Sequence, residues 1–237
     1  MAGRLVLVAT PLGNLGDLSP RARAAMEEAD RWFVEDTRVT GRLQAVLGVK
    51  KPMRVVNEHT PDARLVGYLD ELVAQDGYGA LLTDAGTPGI SDPGARLTDL
   101  AYDRGIEVDA IPGPSAVADA LALCGFYAQR FAFLGFLPRK PGPMRAMLAP
   151  FADSPMTLVL FESPHRMEAL VAAAFDALGE RRAAVCRELT KVHQQVARFR
   201  LPDIPGEAEL PRRGEVTVVI EGRRRGEDRN DYGDEEG

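Results

Sequence analysis

Cysteine and histidine are scarce: Cys124 and Cys186 are the two cysteines, and His59, His165 and His193 the three histidines. Both cysteines sit in apolar surroundings and neither lies at a metal-ligand spacing, which excludes a disulfide framework and predicts two reduced core thiols. The scattered histidines suggest no zinc or iron site. No apolar run approaches the ~20 residues of a membrane span, and Met1 to Val8 lacks the apolar stretch and cleavage site of a signal peptide. A cytoplasmic protein without a membrane partner is therefore expected. No repeat of fixed period occurs. The phosphate loop ending in Gly-Lys-Ser/Thr and the dinucleotide fingerprint G-x-G-x-x-G are both absent. Lysine is nearly missing, with four lysines beside 25 arginines. That bias fits phosphate recognition, since a guanidinium is a planar donor fork, but it fits a GC-rich genome as well.

The 237 residues allow one large domain or two modest ones. The net charge of −6 is concentrated at the end, where Gly226 to Gly237 hold six acids and one arginine. Without them the chain is near neutral, so charge permits a polyanionic partner without requiring one.

Apolar strands alternate with amphipathic helices through the first half. Strands are expected at Arg4–Ala9, Arg31–Glu35, Met53–Val56, Ala80–Thr83 and Glu107–Ile111. Helices are expected after Ser19-Pro20 and at Val39–Leu47, Asp62–Ala74, Pro93–Asp103 and Pro114–Leu123. This β-α order predicts a mainly parallel sheet covered on both faces. After a linker at Gly125–Gln129, strands are expected at Phe131–Phe136, Thr157–Phe161, Ala183–Arg187, Gln195–Arg200 and Glu215–Glu221. A loop is expected at Leu137–Pro143, and helices at Met144–Phe151 and Pro164–Leu178. The last two strands alternate more, which suits the antiparallel part of a mixed sheet. The fold class is thus α/β in two αβα domains, 1–124 and 125–222, with 223–237 as a disordered acidic tail.

Three loops dense in glycine and proline leave strands at what should be one sheet edge, where open parallel sheets bind ligands. They are Thr10-Pro-Leu-Gly-Asn-Leu-Gly16, Asp84-Ala-Gly-Thr-Pro-Gly-Ile-Ser-Asp-Pro-Gly94 and Pro112-Gly-Pro-Ser115. Glycine lets backbone approach a ligand and proline fixes the path. None of the three carries a basic side chain, so a neutral or zwitterionic ligand such as S-adenosylmethionine fits better than a polyphosphate. Asp84 or Asp92 either holds the ligand's amino group or ribose, or caps a turn. Glu35-Asp-Thr-Arg38 forms a fourth loop, which ordinary helix capping would also explain. In the second half Glu162-Ser-Pro-His-Arg166 and Arg187-Glu-Leu-Thr-Lys191 each put a carboxylate beside a cation where a strand stops. They read as salt-bridged tips, or as residues closing over the first domain's cradle to make a cleft. Arg139, Lys140, Arg212 and Arg213 are candidates to meet a polyanion.

Together with Gly135-Phe-Leu-Pro138 and Gly214-Glu-Val, these blocks closely resemble the small-subunit ribosomal RNA methyltransferase I branch of the tetrapyrrole (corrin/porphyrin) methylase superfamily, from residue 5 to about 222. Asp-Ala-Gly-Thr-Pro and Glu-Ser-x-His-Arg are specific to that branch. The other glycine-proline loops mark only the superfamily. The resemblance implies S-adenosylmethionine held in an interdomain cleft, a homodimer, and transfer of methyl to a cytidine 2′-hydroxyl in 16S rRNA, free or in the 30S subunit. It implies cofactor contacts from Pro11, Gly13, Asn14, Asp84, Gly86, Thr87, Pro88, Ser91, Asp92, Pro112, Gly113, Ser115 and Ala116. It implies substrate contacts from Glu35, Asp36, Arg38, Arg139 and Lys140. Many relatives continue in a helical segment where this chain has its acidic tail. A ribose hydroxyl needs a base. Glu162 and Glu188 are the candidates, with Arg166, Arg187 and Lys191 orienting them or a phosphate. Lys191 is itself a base if burial lowers its pKa. Rival expectations are methylation of a tetrapyrrole carbon and a catalytically silent ribosome-binding protein.

Overall fold

The computed structural model describes residues 3–224. The expected acidic tail falls almost wholly outside them. The chain divides into two compact units, Met1–Ala116 and Val117–Gly237.

The first unit contains β1 (Arg4–Val8), α1 (Pro20–Glu28), β2 (Arg31–Val34), α2 (Thr37–Leu47), β3 (Met53–Val55), α3 (Asp62–Ala74), β4 (Tyr78–Leu82), α4 (Ala95–Tyr102) and β5 (Glu107–Ile111). All five strands are parallel, in the order β3-β2-β4-β1-β5. Period-two alternation sorts their side chains between two cores. Val6, Val8, Trp32, Val34, Ala80 and Leu82 pack with Ala22, Ala25 and Met26 of α1 and Leu47 of α2. Leu5, Phe33 and Leu81 pack with Leu65, Leu69 and Leu72 of α3 and Leu97 and Leu100 of α4. Local signals set the helix ends. Ser19 Oγ accepts from Ala22 N at 3.1 Å with Pro20 behind it, and Gly48 ends α2 in the left-handed conformation at φ 71°.

The second unit contains most of α5 (Ala116–Cys124), then β6 (Phe131–Phe136), α6 (Pro141–Leu148), β7 (Thr157–Glu162), α7 (Met167–Leu178), β8 (Arg182–Arg187), β9 (Gln195–Arg200) and β10 (Val216–Ile220). Its sheet is mixed, in the order β6-β7-β10-β8-β9, with β6 and β7 parallel and the remaining pairs antiparallel. One core joins the strands to α6 and α7 through Met144, Leu148, Leu158, Leu160, Leu170 and Val218. Cys124 and Cys186 are buried and free. Burial, and then the neighbouring Cys124, pushes the Cys186 thiol up to about 12, so it stays protonated and inert.

Several helix boundaries differ from expectation by two or three residues, as at the starts of α2, α4 and α7. α6 starts at Pro141, inside the expected loop, because a proline in the first helical turn forfeits no intrahelical hydrogen bond. α5 starts at Ala116, two residues after Pro114. Among the described residues no helix is long and apolar enough to cross a membrane.

Candidate active site

The three glycine-proline loops follow β1, β4 and β5, three adjacent parallel strands, and Glu35 follows β2 on the far side of β4. All four therefore leave the same edge of the sheet. The loops are tied to one another. Thr10 and Gly86 form an isolated antiparallel bridge, with N–H···O distances of 2.9 and 3.0 Å. The Thr10 hydroxyl donates to the Thr83 carbonyl at 3.1 Å, and the Thr87 hydroxyl to the Pro114 carbonyl at 3.1 Å. Gly113 lies so close to β1 that an added Cβ would stand 2.9 Å from the Ala9 Cβ. Gly86 has φ 88°, a region that favours glycine. The result is a fixed cradle of main chain. Pro11, Pro88, Ser115 and Ala116 lie within these stretches, Ser91 takes a positive φ of 62°, and Asn14 caps a single helical turn by accepting from Gly16 N at 3.0 Å. A cavity of about 230 Å³ opens between the first loop and α2, lined by Thr10, Pro11, Gly13, Leu15, Asp84 and by Arg42, Leu43 and Val46 of α2.

The cradle is acidic. Burial raises the pKa of Glu35, Asp84 and Asp92. Repulsion adds to it: Asp84 acts on Glu35, Asp36 acts on Asp84, and Glu35 and Asp84 together act on Asp92, which reaches about 6. Asp84 Oδ1 is fully buried with no hydrogen-bond partner among the described residues. Such a site penalises an anion and relieves strain when a cation enters. Asp36 behaves differently. It caps α2 by accepting from Arg38 N at 2.8 Å and pairs with the exposed Arg38 side chain, which holds its carboxyl at about 2. Together they form a helix cap and a surface ion pair.

Asp92 offers a stability test. Its folded pKa exceeds 3.8, so the folded chain binds the extra proton between pH 3.8 and about 6. Stability from that proton is complete below this window and lost as pH rises through it. The Tm advantage of Asp92→Asn over wild type should therefore grow from pH 4 to pH 6 and stay level above. A constant difference in thermal melts across that range contradicts the assignment.

In the second unit, sheet register brings the two polar clusters together. Glu162 ends β7 opposite Val216 of β10, and Val216 faces Arg187 at the end of β8. The Glu162 side chain is 1% exposed. Its Oε1 accepts from Ser163 N at 2.7 Å. Its Oε2 lies 3.2 Å from Arg166 Nη2 yet lacks hydrogen-bond geometry, because that nitrogen donates to the carbonyls of Leu137 and Pro138 at 3.0 and 3.1 Å. Burial raises the Glu162 pKa against the Ser163 N–H and Arg166. Arg187 is buried, and its hydrogen bonds among the described residues go to neutral acceptors on Gln195, Arg213 and His193.

Glu188 and Lys191 are committed elsewhere. Glu188 Oε1 accepts from Glu215 N at 2.8 Å and from Lys191 Nζ at 3.1 Å, and the Glu215 N–H leads in holding its pKa down. Lys191 Nζ also meets Glu215 Oε2 at 2.8 Å. Burial pulls the Lys191 pKa down, but Glu215 and Glu188 outweigh it and the net shift is upward. Lys191 is a held cation and not the base that burial alone would make it. Glu188 belongs to the same clamp, tight enough that a Cβ on Gly214 would stand 2.6 Å from its carboxylate. Arg212 is likewise occupied, by Glu168 at 2.7 Å and by the Leu210 and Pro205 carbonyls. Arg139 and Lys140 stand exposed just before α6, joined to the Glu162 loop through Arg166.

A family model described as Tetrapyrrole (Corrin/Porphyrin) Methylases matches residues 4–205. The chain belongs to this family of methyltransferases. Within the family it is 44% identical to Ribosomal RNA small subunit methyltransferase I of Mycobacterium bovis over 225 residues, 93% of this chain and 78% of the relative. The protein of the same name from Thermotoga maritima is 37% identical over 93% of this chain and 99% of its own length. Among solved structures, the methyltransferase CobJ aligns with a TM-score of 0.68 at 16% identity over 94% of this chain and 97% of its own. Uroporphyrin-III C-methyl transferase from Thermus thermophilus complexed with S-adenosyl homocysteine aligns with a TM-score of 0.63 at 18% identity over 92% and 97%. At those identities the likeness is one of fold, and it places this chain's two sheets in the family architecture.

Sequence reading overlooked α2 as a wall of the cavity. Arg42, Leu43 and Val46 sit in a helix with no motif, and only the packing of α2 against the first loop brings them there. It also gave the Thr10 and Thr87 hydroxyls no part in fastening the loops, since threonine near a strand end has many ordinary uses.

Proposed function

We propose that this chain transfers a methyl group from S-adenosylmethionine to the 2′-hydroxyl of a cytidine in 16S rRNA, acting as a cytoplasmic homodimer on free RNA or the 30S subunit. The observation that carries the proposal is the 37–44% identity, over 93% of the chain, to relatives named for small-subunit ribosomal RNA methylation. The cradle supports the choice of donor. Its three glycine-proline loops hold no cationic side chain, Arg38 and Arg42 coming from the Glu35 loop and α2, and Glu35, Asp84 and Asp92 crowd at one edge, with Asp84 Oδ1 unsatisfied among the described residues. A sulfonium and an ammonium group suit that field far better than phosphates do. The main chain of Pro11, Gly13, Gly86, Thr87, Pro112 and Gly113, with Asp84 and Asp92, would hold it.

The donor supplies an already activated methyl. The chain's own task is alignment and removal of the hydroxyl proton. Glu162 suits the second task, being buried, raised in pKa and short of a partner at Oε2. Arg166 and Arg187 keep that edge cationic for a phosphate next to the reacting ribose.

Labelled S-adenosylmethionine incubated with small-subunit particles should put label on a ribose, located by digestion and mass spectrometry. Label transferred to uroporphyrinogen would identify a tetrapyrrole enzyme. Donor binding with no product on either substrate would identify a silent ribosome-binding protein.

A further inference from the structure

At the far end of β8 from Arg187, a second cavity of about 340 Å³ is lined by Phe126, Arg182, Arg198, Phe199 and Arg200. Register pairs Arg182 with Arg200 and Ala184 with Arg198, so all three arginines project from one sheet face. Phe126 forms the floor at 7% exposure, and the guanidinium carbons of Arg182 and Arg198 lie 5.0 and 5.1 Å from its ring centre. Their partners differ. Arg182 is neutralised by two hydrogen bonds to the buried Glu221. Among the described residues the Arg200 side chain pairs only with Glu180, with both side chains more than 60% exposed. The Arg198 side chain makes no hydrogen bond or ion pair with any described residue. An exposed guanidinium stacked on a ring keeps its N–H edge for an anion.

We propose that this groove binds the phosphate backbone of a single-stranded RNA segment, away from the methylated nucleotide. The proposal rests on the reading of the substrate as rRNA. Arg198 and Arg200 stand two residues apart on an edge strand, roughly 7 Å, the scale of neighbouring phosphates on one strand. That spacing suits a run of phosphates better than a lone anion. Phe126 is already covered by guanidinium groups, so it offers no face to a base, and the contact should be indifferent to sequence. About five residues of β8 separate Arg182 from Arg187, roughly 17 Å, so the groove grips a different stretch of RNA from the one presented to Glu162.

The test uses the full chain and a fluorescent mixed-sequence decaribonucleotide, followed by anisotropy from low to high salt. Arg198→Glu with Arg200→Glu should weaken binding at least tenfold. The salt slope should shrink by about 1.4, two single-strand phosphate contacts at about 0.7 each. Arg198→Lys with Arg200→Lys should keep most of the affinity, and donor affinity and melting temperature should hold in both variants. Unchanged RNA affinity and slope in the glutamate variant overturn the proposal. So does RNA binding by wild type only after residues 226–237 are removed, with that segment cross-linking to the groove, since the chain's own acidic terminus would then be the occupant. Failure of wild type to methylate small-subunit particles would refute the proposed function and leave the affinity comparison intact. Normal methylation with equal affinities would refute the groove alone.

Discussion

Glu162→Gln should reduce single-turnover methyl transfer by roughly 10²–10⁴-fold, the usual contribution of a general base, while donor affinity stays within twofold of wild type. The substitution keeps shape and the hydrogen bond from Ser163 N, so the fold should tolerate it. It removes the capacity to accept a proton at Oε2, the buried oxygen that no donor satisfies. The pH profile gives a second readout. Because burial raises the Glu162 pKa, wild-type rate should fall as pH drops through that elevated value, when the carboxylate protonates and can no longer act as base. The glutamine variant should be flat over the same range. An unchanged single-turnover rate in the variant would remove Glu162 from the role, and a loss matched by a loss of donor affinity would make it a structural residue.

Gly113→Val should abolish measurable donor binding. The new side chain would start 2.9 Å from the Ala9 Cβ, and neither β1 nor the Pro112–Ser115 loop can move without breaking the ties that fix the cradle. Overpacking of this kind costs about 1–3 kcal/mol of stability, so a control must separate folding from binding. Gly105→Ala is suitable. Gly105 has φ 65° with open space around its Cβ position, and it lies before β5, at the opposite edge of the sheet. Alanine there is strained without touching the cradle. Both variants should melt earlier, and only Gly113→Val should lose donor heat in calorimetry. Equal donor affinity in Gly113→Val and wild type would mean that the loops do not form the donor site.

The alternation of strands and helices was legible because the inner strands β1, β2 and β4 are short, mainly buried apolar runs and several helix ends carry local signals, as at Ser19-Pro20 and Gly48. The shared edge of the glycine-proline loops was legible for the same reason, since parallel strands put all their exits on one side. The partners of the charged residues were not. Glu162, Glu188 and Lys191 look alike in sequence, a carboxylate or ammonium after a strand. Only the register of β7, β10 and β8 shows that Glu188 and Lys191 meet Glu215 in a closed clamp while Glu162 Oε2, beside Arg166, accepts no hydrogen bond from the described residues. Desolvation and pairing act through neighbours far along the chain, so a local window could suggest that burial lowers the Lys191 pKa but not that two carboxylates raise it.

The last strand among the described residues, β10, occupies the middle of its sheet, flanked by β7 and β8. A polypeptide emerging from a ribosome can complete its first half early, since every element of that unit precedes residue 117. Its second half cannot close until residues 216–220 have been synthesised and slotted between two waiting neighbours. During that interval the edges of β7 and β8 stay unsatisfied, so nascent chains stalled just short of Val216 should be preferred clients of chaperones and proteases.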